Sequence, residues 1–295
     1  MNAVKLLVPV DGSPSSARVM SLVAAYRGPT AILAPVVLNV QSPPVMLWPE
    51  ASLDAQAVER ALLEAGREVT EAAVRRLPEL QPRPEQAVRL GLPASTILRE
   101  AETRRSDLIV MGTRGHGMVH GYAVGSVAMR VAHGGPTPVC VVRPESRLPV
   151  DFGRRLRVML AVDGSAPAVR AAQRLVAWQD WLGELDVQIV HVQEPLTLVE
   201  AILPPHHDLV EQWSTRQAQQ ASQEAREIFA MAGIRHHLHV SAGEPFREIA
   251  LLAGQTQSEL LVLGTRGRGA AHHALIGSVA LKAAAASEVP VLLVK

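Results

Sequence analysis

Apolar positions along the chain fall into short unbroken runs, separated by longer stretches in which apolar residues recur on one helical face. Val4 to Val10 is apolar apart from Lys5, the pattern of a strand buried on both faces of a parallel sheet. Asp11-Gly12-Ser13-Pro14 then reads as a strand-to-helix turn, with Ser13 as N-cap and Pro14 at the first helical position, and the helix runs to about Tyr26. A strand over 32–40 follows, with Pro35 near its start, and then a long one-faced helix over 52–77. A strand over 86–90, a helix over 94–104, a strand over 108–111, a glycine-rich loop, a helix over 126–133 and a strand over 139–142 complete this half.

The same order then recurs, with strands near 156–162, 186–192, 235–241, 260–263 and 291–294 and four helices between them. The recurrence keeps one register. Val10-Asp11-Gly12-Ser13 matches Val162-Asp163-Gly164-Ser165, 152 positions on. Met111-Gly112-Thr113-Arg114-Gly115 matches Leu263-Gly264-Thr265-Arg266-Gly267, and Gly125-Ser126-Val127-Ala128 matches Gly277-Ser278-Val279-Ala280, at the same offset. Solenoid units are only about 20–50 residues long, so each half here is expected to fold as a domain of its own. The halves are set at 1–143 and 153–295, with the proline-bearing, charged 144–152 as linker.

Strand and helix in alternation imply an α/β fold with parallel sheets covered on both faces, and right-handed crossovers narrow this to a doubly wound sheet. Ligands of such sheets bind beyond the carboxyl ends of the strands, where the winding reverses. The unusual residues cluster at such ends: Asp11 and Gly112 in one half, Asp163 and Gly264 in the other. The loop reads Gly112-x2-Gly115-x9-Gly125-Ser126, and again Gly264-x2-Gly267-x9-Gly277-Ser278. Glycines let main-chain amides approach a ligand closely, a run of such amides surrounds an anion, and the helix that opens at Gly125-Ser126 adds its dipole. Arg114, His116, Arg266 and Arg268 place positive or titratable groups nearby. A phosphate-bearing ligand is therefore expected in each half.

Composition narrows the field. Lys+Arg total 29 against Asp+Glu 28, so the formal charge is +1, which argues against a dedicated nucleic-acid binder. Aromatic residues make up 3%, too few for a base-stacking platform. The single cysteine, Cys140, excludes an intrachain disulfide and a thiolate zinc cluster, and it falls in a buried strand as a small core residue. No run of about 18 apolar residues exists, so no membrane-spanning helix is expected. The first residues lack signal-peptide features, and a cytoplasmic location is expected. His237 and His239 share a strand face, His206-His207 and His272-His273 are paired, and His116 and His120 lie four apart in the glycine loop with no matching third ligand; these histidines read as solvated or phosphate-neighbouring, and no metal is assigned. Trp178 to Trp181 reads as a helix end with buried indoles.

These motifs resemble those of the universal stress protein family, over nearly the whole chain and as two tandem domains. The family's ATP-binding subgroup carries Gly-x2-Gly-x9-Gly-(Ser/Thr), which both halves satisfy, and the Val-Asp-Gly-Ser openings match too. The resemblance implies a Rossmann-like, adenine nucleotide alpha hydrolase-like fold, with a five-stranded sheet in the order 3-2-1-4-5 in each half. It implies that Asp11 and Asp163 contact the adenosine portion, mainly the ribose, and that the valine backbones of Asn39-Val40 and His191-Val192 face adenine. Gly112, Gly115, Gly125 and Ser126 would hold the phosphates, as would Gly264, Gly267, Gly277 and Ser278. Met111, Val127, Leu263 and Val279 would line the pocket. The strand-end residues Pro9, Val10, Ala161 and Val162, with Arg114 and Arg266, complete the expected contacts. The implied ligand is ATP with Mg2+, although AMP, ADP and cyclic AMP share the same base and ribose contacts. The family's habit of pairing domains through final strands implies an intramolecular pseudo-dimer, and homodimerisation remains open, as do the protein partners.

Two departures from the family pattern stand out. An acidic residue often lies between Gly and Pro before the third helix; Gly243-Glu244-Pro245 keeps it, whereas Gly91-Leu92-Pro93 does not. Asp is favoured before the fourth strand; Asp107 keeps it, whereas Glu259 replaces it. The sequence has no Gly-x4-Gly-Lys-(Ser/Thr) loop and no Ser-Gly-Gly-x-Asp-Ser signature. A phosphate cradle with little catalytic machinery points to an ATP-binding regulatory module of the stress response, with at most slow hydrolysis. An ATP hydrolase or phosphotransferase is the alternative, and a scaffold with unfilled sites is a third.

Overall fold

Runs of valine and leucine form the strands, because a chain buried on both sides has no place for alternating polar residues. The computed structural model describes residues 3–28, 33–43, 55–81, 83–115, 124–193, 207–265, 267 and 276–295, with side chains described for all of these except 207–215. The chain forms two units: Met1–Tyr26 with Thr30–Ser146, and Arg27–Pro29 with Arg147–Lys295.

The first unit runs β1 (Val4–Pro9), α1 (Pro14–Ala24), β2 (Leu33–Gln41), α2 (Ala55–Val74), β3 (Glu85–Leu90), α3 (Pro93–Thr103), β4 (Leu108–Gly112), α4 (Ser126–Gly134) and β5 (Val139–Val142). Its strands lie in the order β3-β2-β1-β4-β5, each pair parallel. The second runs β6 (Arg155–Ala161), α5 (Ala166–Ala177), α6 (Gln179–Leu182), β7 (Glu184–Gln193), α7 (His207–Met231), β8 (Arg235–Ala242), α8 (Pro245–Gln255), β9 (Leu260–Gly264), α9 (Ser278–Ala286) and β10 (Val291–Val294). Its order is β8-β7-β6-β9-β10, again parallel throughout. Each unit thus has the expected 3-2-1-4-5 order, and in each the winding reverses beside the first strand: between β1 and β4, and between β6 and β9.

The strands, with the helix faces packed on them, make the cores. Leu7, Val8, Val37, Ile109, Val139 and Val142 are fully buried in the first unit, and Leu156, Val158, Ile189 and Val262 in the second. Pro35 is accommodated because β3 begins pairing with β2 only at Val36, so at Pro35 β2 is bonded to β1 alone. Two differences from the sequence reading follow from packing. The second unit has a fifth helix among the described residues, the single turn α6. There Trp178 and Trp181 are buried with ring centroids 5.3 Å apart, so the buried indoles close α5 and start a further turn. β7 begins at Glu184, because its N–H donates to the carbonyl of Arg154 (2.7 Å) and extends the ladder with β6. Among the described residues no helix is long and apolar enough to cross a membrane.

Candidate functional site

The crevice of the first unit starts at the turn after β1. Gly12 has φ +85°, which lets the chain leave the strand and enter α1 at once. Ser13 caps α1, its Oγ accepting from the Ser16 N–H (3.3 Å). The Asp11 carboxylate is held by the same turn. Its Oδ1 accepts from the Ser13 N–H (3.0 Å) and from the Ser16 hydroxyl (2.6 Å), while the Asp11 N–H donates to Ser16 Oγ (3.0 Å).

The glycine loop meets this turn directly. The Ser13 hydroxyl donates to the carbonyl of Arg114 (3.2 Å). A Cβ on Gly115 would lie 2.6 Å from Asp11 Oδ2, so a side chain there displaces the carboxylate. Gly112 serves a different purpose. A Cβ there would lie 2.4 Å from Ser15 Cβ and 3.1 Å from its backbone carbon, so this glycine lets the end of β4 approach α1 rather than opening space for a ligand. The loop closes where the Gly125 N–H donates to the Thr113 carbonyl (2.7 Å), which sets the amino end of α4 beside β4. Gly125 is the N-cap of α4 and offers no side-chain oxygen to the first-turn amides, so these and the exposed Ser126 hydroxyl face outward.

The second unit repeats the construction with fewer hydroxyls. Asp163 Oδ1 accepts from the Ser165 N–H (3.0 Å), but Ala168 stands where Ser16 stands in the first. A Cβ on Gly267 would lie 2.5 Å from Asp163 Oδ2, and one on Gly264 would lie 2.7 Å from Pro167 Cβ. The Gly277 N–H donates to the Thr265 carbonyl (2.8 Å). Arg266, His116 and Arg268 lie outside the described residues, as do His120, His206, His272 and His273.

The third wall comes from the ends of β2 and β7. Val10 and Val162 are pinned from both sides: each N–H joins the ladder, to Leu38 (2.8 Å) and Val190 (2.9 Å), and each carbonyl accepts from a side chain. Asn39 Nδ2 donates to the Val10 carbonyl (2.8 Å), and the His191 Nδ1–H donates to that of Val162 (2.9 Å). Both side chains are buried. Reading the sequence alone assigns nothing to these side chains; their signal is a polar residue at the same place in two otherwise apolar strands. Val40 and Val192 follow them, partly exposed at the strand ends, while Pro9 is buried and Ala161 partly exposed at the ends of β1 and β6. Met111 and Leu263 are buried beside the loop, and Val127 and Val279 sit in the first turns of α4 and α9.

Arg114 is already engaged. Its Nη2 donates to both oxygens of Glu145 (2.8 and 3.0 Å), and Arg143 approaches the same carboxylate at 3.4 Å. Burial pushes the Glu145 carboxyl up, but a backbone hydrogen bond and the two guanidiniums more than offset this and hold it below the usual range. Two hydroxyls near Gly112 have no partner among the described residues: Ser15 Oγ and Thr113 Oγ1, both in buried residues. A helix amino terminus whose first-turn amides have no side-chain cap fits an anionic ester better than a cation.

The two departures noted in the sequence have structural counterparts. Glu244 caps α8, accepting from the Arg247 N–H (2.8 Å) and pairing with Lys282 (2.5 Å); Leu92 caps α3 with no side-chain bond and is exposed. Asp107 accepts from the Lys5 N–H (2.8 Å), and Glu259 accepts from the matching Arg157 N–H (3.2 Å), so the longer carboxylate keeps the task. Cys140 is buried in β5, and burial pushes its thiol up to about 12, as for an inert core residue. Among the described residues no three His, Cys, Asp or Glu side chains gather as a metal centre.

Comparison with known proteins speaks to the family and the fold. The model of the Universal stress protein family matches residues 4–143 and again 155–295. The chain belongs to that family. A universal stress protein of Mycolicibacterium smegmatis is 27% identical over 98% of this chain and 96% of its own length, so the tandem arrangement of Usp domains extends to a relative. The universal stress protein MJ0531 of Methanocaldococcus jannaschii is 33% identical over 47% of this chain and 81% of its own. Among solved structures, a universal stress protein from Archaeoglobus fulgidus superimposes with a TM-score of 0.68 at 22% identity, covering 99% of this chain and 96% of that one. At that identity the likeness speaks for the fold.

Proposed function

We propose that this universal stress protein binds an adenine nucleotide, ATP foremost, at one site in each half, and that occupancy switches a surface read by protein partners. One observation carries the reading. In both units the second glycine of the loop packs against the strand-end aspartate, at 2.6 and 2.5 Å from the position of an added Cβ, while the third glycine bonds the loop back onto its strand end. A carboxylate suited to ribose hydroxyls, a glycine loop and an uncapped helix amino terminus thus converge twice at a winding reversal.

Each residue has a task in this reading. Asp11 and Asp163 accept from the ribose, with Ser16 fixing the rotamer of the former. Val40 and Val192 present their backbone to the base, beside Val10 and Val162, which Asn39 and His191 hold in place. The amides at Gly115 and Gly267, the uncapped first-turn amides of α4 and α9 and the hydroxyls of Ser126 and Ser278 take the phosphates, whose charge Mg2+ would share. Arg114, with its guanidinium held by Glu145, lies beside the first loop.

The reading is tested by thermal melts with and without ATP and magnesium. At about 100 times the dissociation constant, ATP stabilises a site by roughly 2.7 kcal/mol, an upward shift of a few degrees. An unchanged melting temperature at millimolar ATP contradicts nucleotide binding. Turnover of labelled ATP within the ordinary enzyme range of about 1–1,000 per second contradicts the switch and favours a hydrolase.

A further inference from the structure

The second unit carries a polar groove away from the glycine loop. It has a volume of about 520 Å³ and is lined by Arg157, Asp186, Gln188, His237, His239 and Gln255, with Leu238 and Thr256 completing it. These residues belong to β6, β7 and β8 and to the carboxyl end of α8. Arg157 precedes Asp163 by six positions along an extended chain, so the groove lies roughly 20 Å from the crevice at ~3.3 Å per residue.

The floor is a directed chain of hydrogen bonds. Arg157 Nε donates to Asp186 Oδ2 (3.0 Å), and Arg157 Nη1 donates to the Thr256 carbonyl (2.9 Å). Gln188 Nε2 donates to Asp186 Oδ1 (2.9 Å), and His239 Nε2 meets Gln188 Oε1 (2.8 Å). The carboxylate only accepts, so Gln188 must turn its amide nitrogen to it and its oxygen to the ring. His239 therefore carries its hydrogen on Nε2. Burial and the neighbouring His237 lower the His239 pKa, so the neutral ring presents a lone pair at Nδ1. Arg157 Nη2, His239 Nδ1, the His237 ring and the Gln255 carboxamide have no partner among the described residues.

The duplicated fold supplies its own control. In matching register the first unit has Lys5, Ala34, Val36 and Ala87 where the second has Arg157, Asp186, Gln188 and His239. Where Thr256 lies in the second, the first has Arg104, whose guanidinium is bonded to Glu85 and Glu100. The fold therefore forms without the polar chain. Asp186 and Gln188 are 8% and 6% exposed, and burying such groups costs free energy that alanine and valine avoid.

We infer that this groove is a second ligand site, for a small carboxylate that also bears a hydroxyl or amino hydrogen donor. The unpartnered Arg157 Nη2 suits the carboxylate, and the fixed imidazole lone pair suits the donor. The volume falls within the range of small-molecule pockets, about 300–1,000 Å³.

The test uses the full chain labelled with 15N-histidine, titrated with L-malate, L-lactate and L-serine, and with acetate as the probe that lacks the donor. The expected result is saturable movement of the His237 and His239 signals by at least one donor-bearing probe near ~1 mM, with acetate at least about 10-fold weaker. The triple variant Arg157→Lys, Asp186→Ala, Gln188→Val, which restores the residues of the first unit, should keep its circular dichroism and lose the response. The single variant His239→Ala, read through His237, should weaken binding likewise and serves if the triple variant does not fold. Absence of saturable shifts with all three donor-bearing probes, acetate binding as well as they do, or undiminished binding in a folded variant overturns the inference.

Discussion

Gly112 and Gly115 stand three residues apart in one loop, yet their missing side chains face different things. A methyl group on Gly112 meets the Cβ and backbone of Ser15, neither of which can yield without moving α1; one on Gly115 meets only the end of the Asp11 side chain. Gly112→Ala should therefore destabilise the first unit by about 1–3 kcal/mol, the usual range for overpacking, whereas Gly115→Ala should leave stability within about 1 kcal/mol and weaken nucleotide binding by displacing Asp11. Urea denaturation and ATP titration of the two variants separate these effects. From the sequence the two glycines look alike; what differs is the partner each faces, which only the packing of α1 decides. His239 gives a second test at this scale. Its folded-state pKa is lowered, first by burial and then by His237, with Asp186 and Arg157 bonded along the same chain. Such a histidine contributes stability that is complete above its unfolded value, near 6.5, and is lost as pH falls through the folded one. The melting temperature should therefore fall more steeply between about pH 7 and pH 5 in the wild type than in His239→Ala. Parallel slopes would show that the ring is not strained by its surroundings.

The helices show how a small change at one position alters an element. α3 and α8 occupy equivalent places, begin with Pro at the same point and differ at the cap. Glu244 both caps α8 and pairs with Lys282, and these interactions, with the Lys282 bond foremost, hold its carboxyl below the usual range. Glu244→Leu, which copies Leu92, should cost about 1 kcal/mol, mostly the lost cap, since the exposed ion pair is worth little. A chemical denaturation midpoint unchanged by this substitution would contradict the capping role. Element order is legible in the sequence because strands buried on both sides are apolar runs and the turns at Asp11-Gly12-Ser13-Pro14 and Gly125-Ser126 carry cap chemistry. α6 is less legible: its four residues, Gln179–Leu182, are too few to show a period, and only the burial of Trp178 against Trp181 defines the turn. The clip from Asn39 to Val10 and the grip of Glu145 on Arg114 are likewise tertiary, joining residues that no local pattern connects.

At the scale of the whole molecule, duplication is the informative feature. Two units with one strand order repeat the same encounter of aspartate, glycine loop and helix amino terminus, yet they have diverged around it. In matching register Ser15 and Ser16 are replaced by Pro167 and Ala168, Asn39 by His191, and the apolar Ala34 and Val36 by Asp186 and Gln188. The repeat, the fold and the meeting of Asp11 with the loop are readable from matching motifs at one offset. The groove at Arg157 is not, because its residues come from three strands and a helix end with no motif among them. The most direct test of the central claim is nucleotide stoichiometry by native mass spectrometry of the wild type, Gly115→Val and Gly267→Val in the presence of ATP, ADP, AMP or cyclic AMP. Two adenine nucleotides per wild-type chain and one in each folded variant are predicted; no bound nucleotide in the wild type, or a stoichiometry that neither substitution changes, would contradict the account.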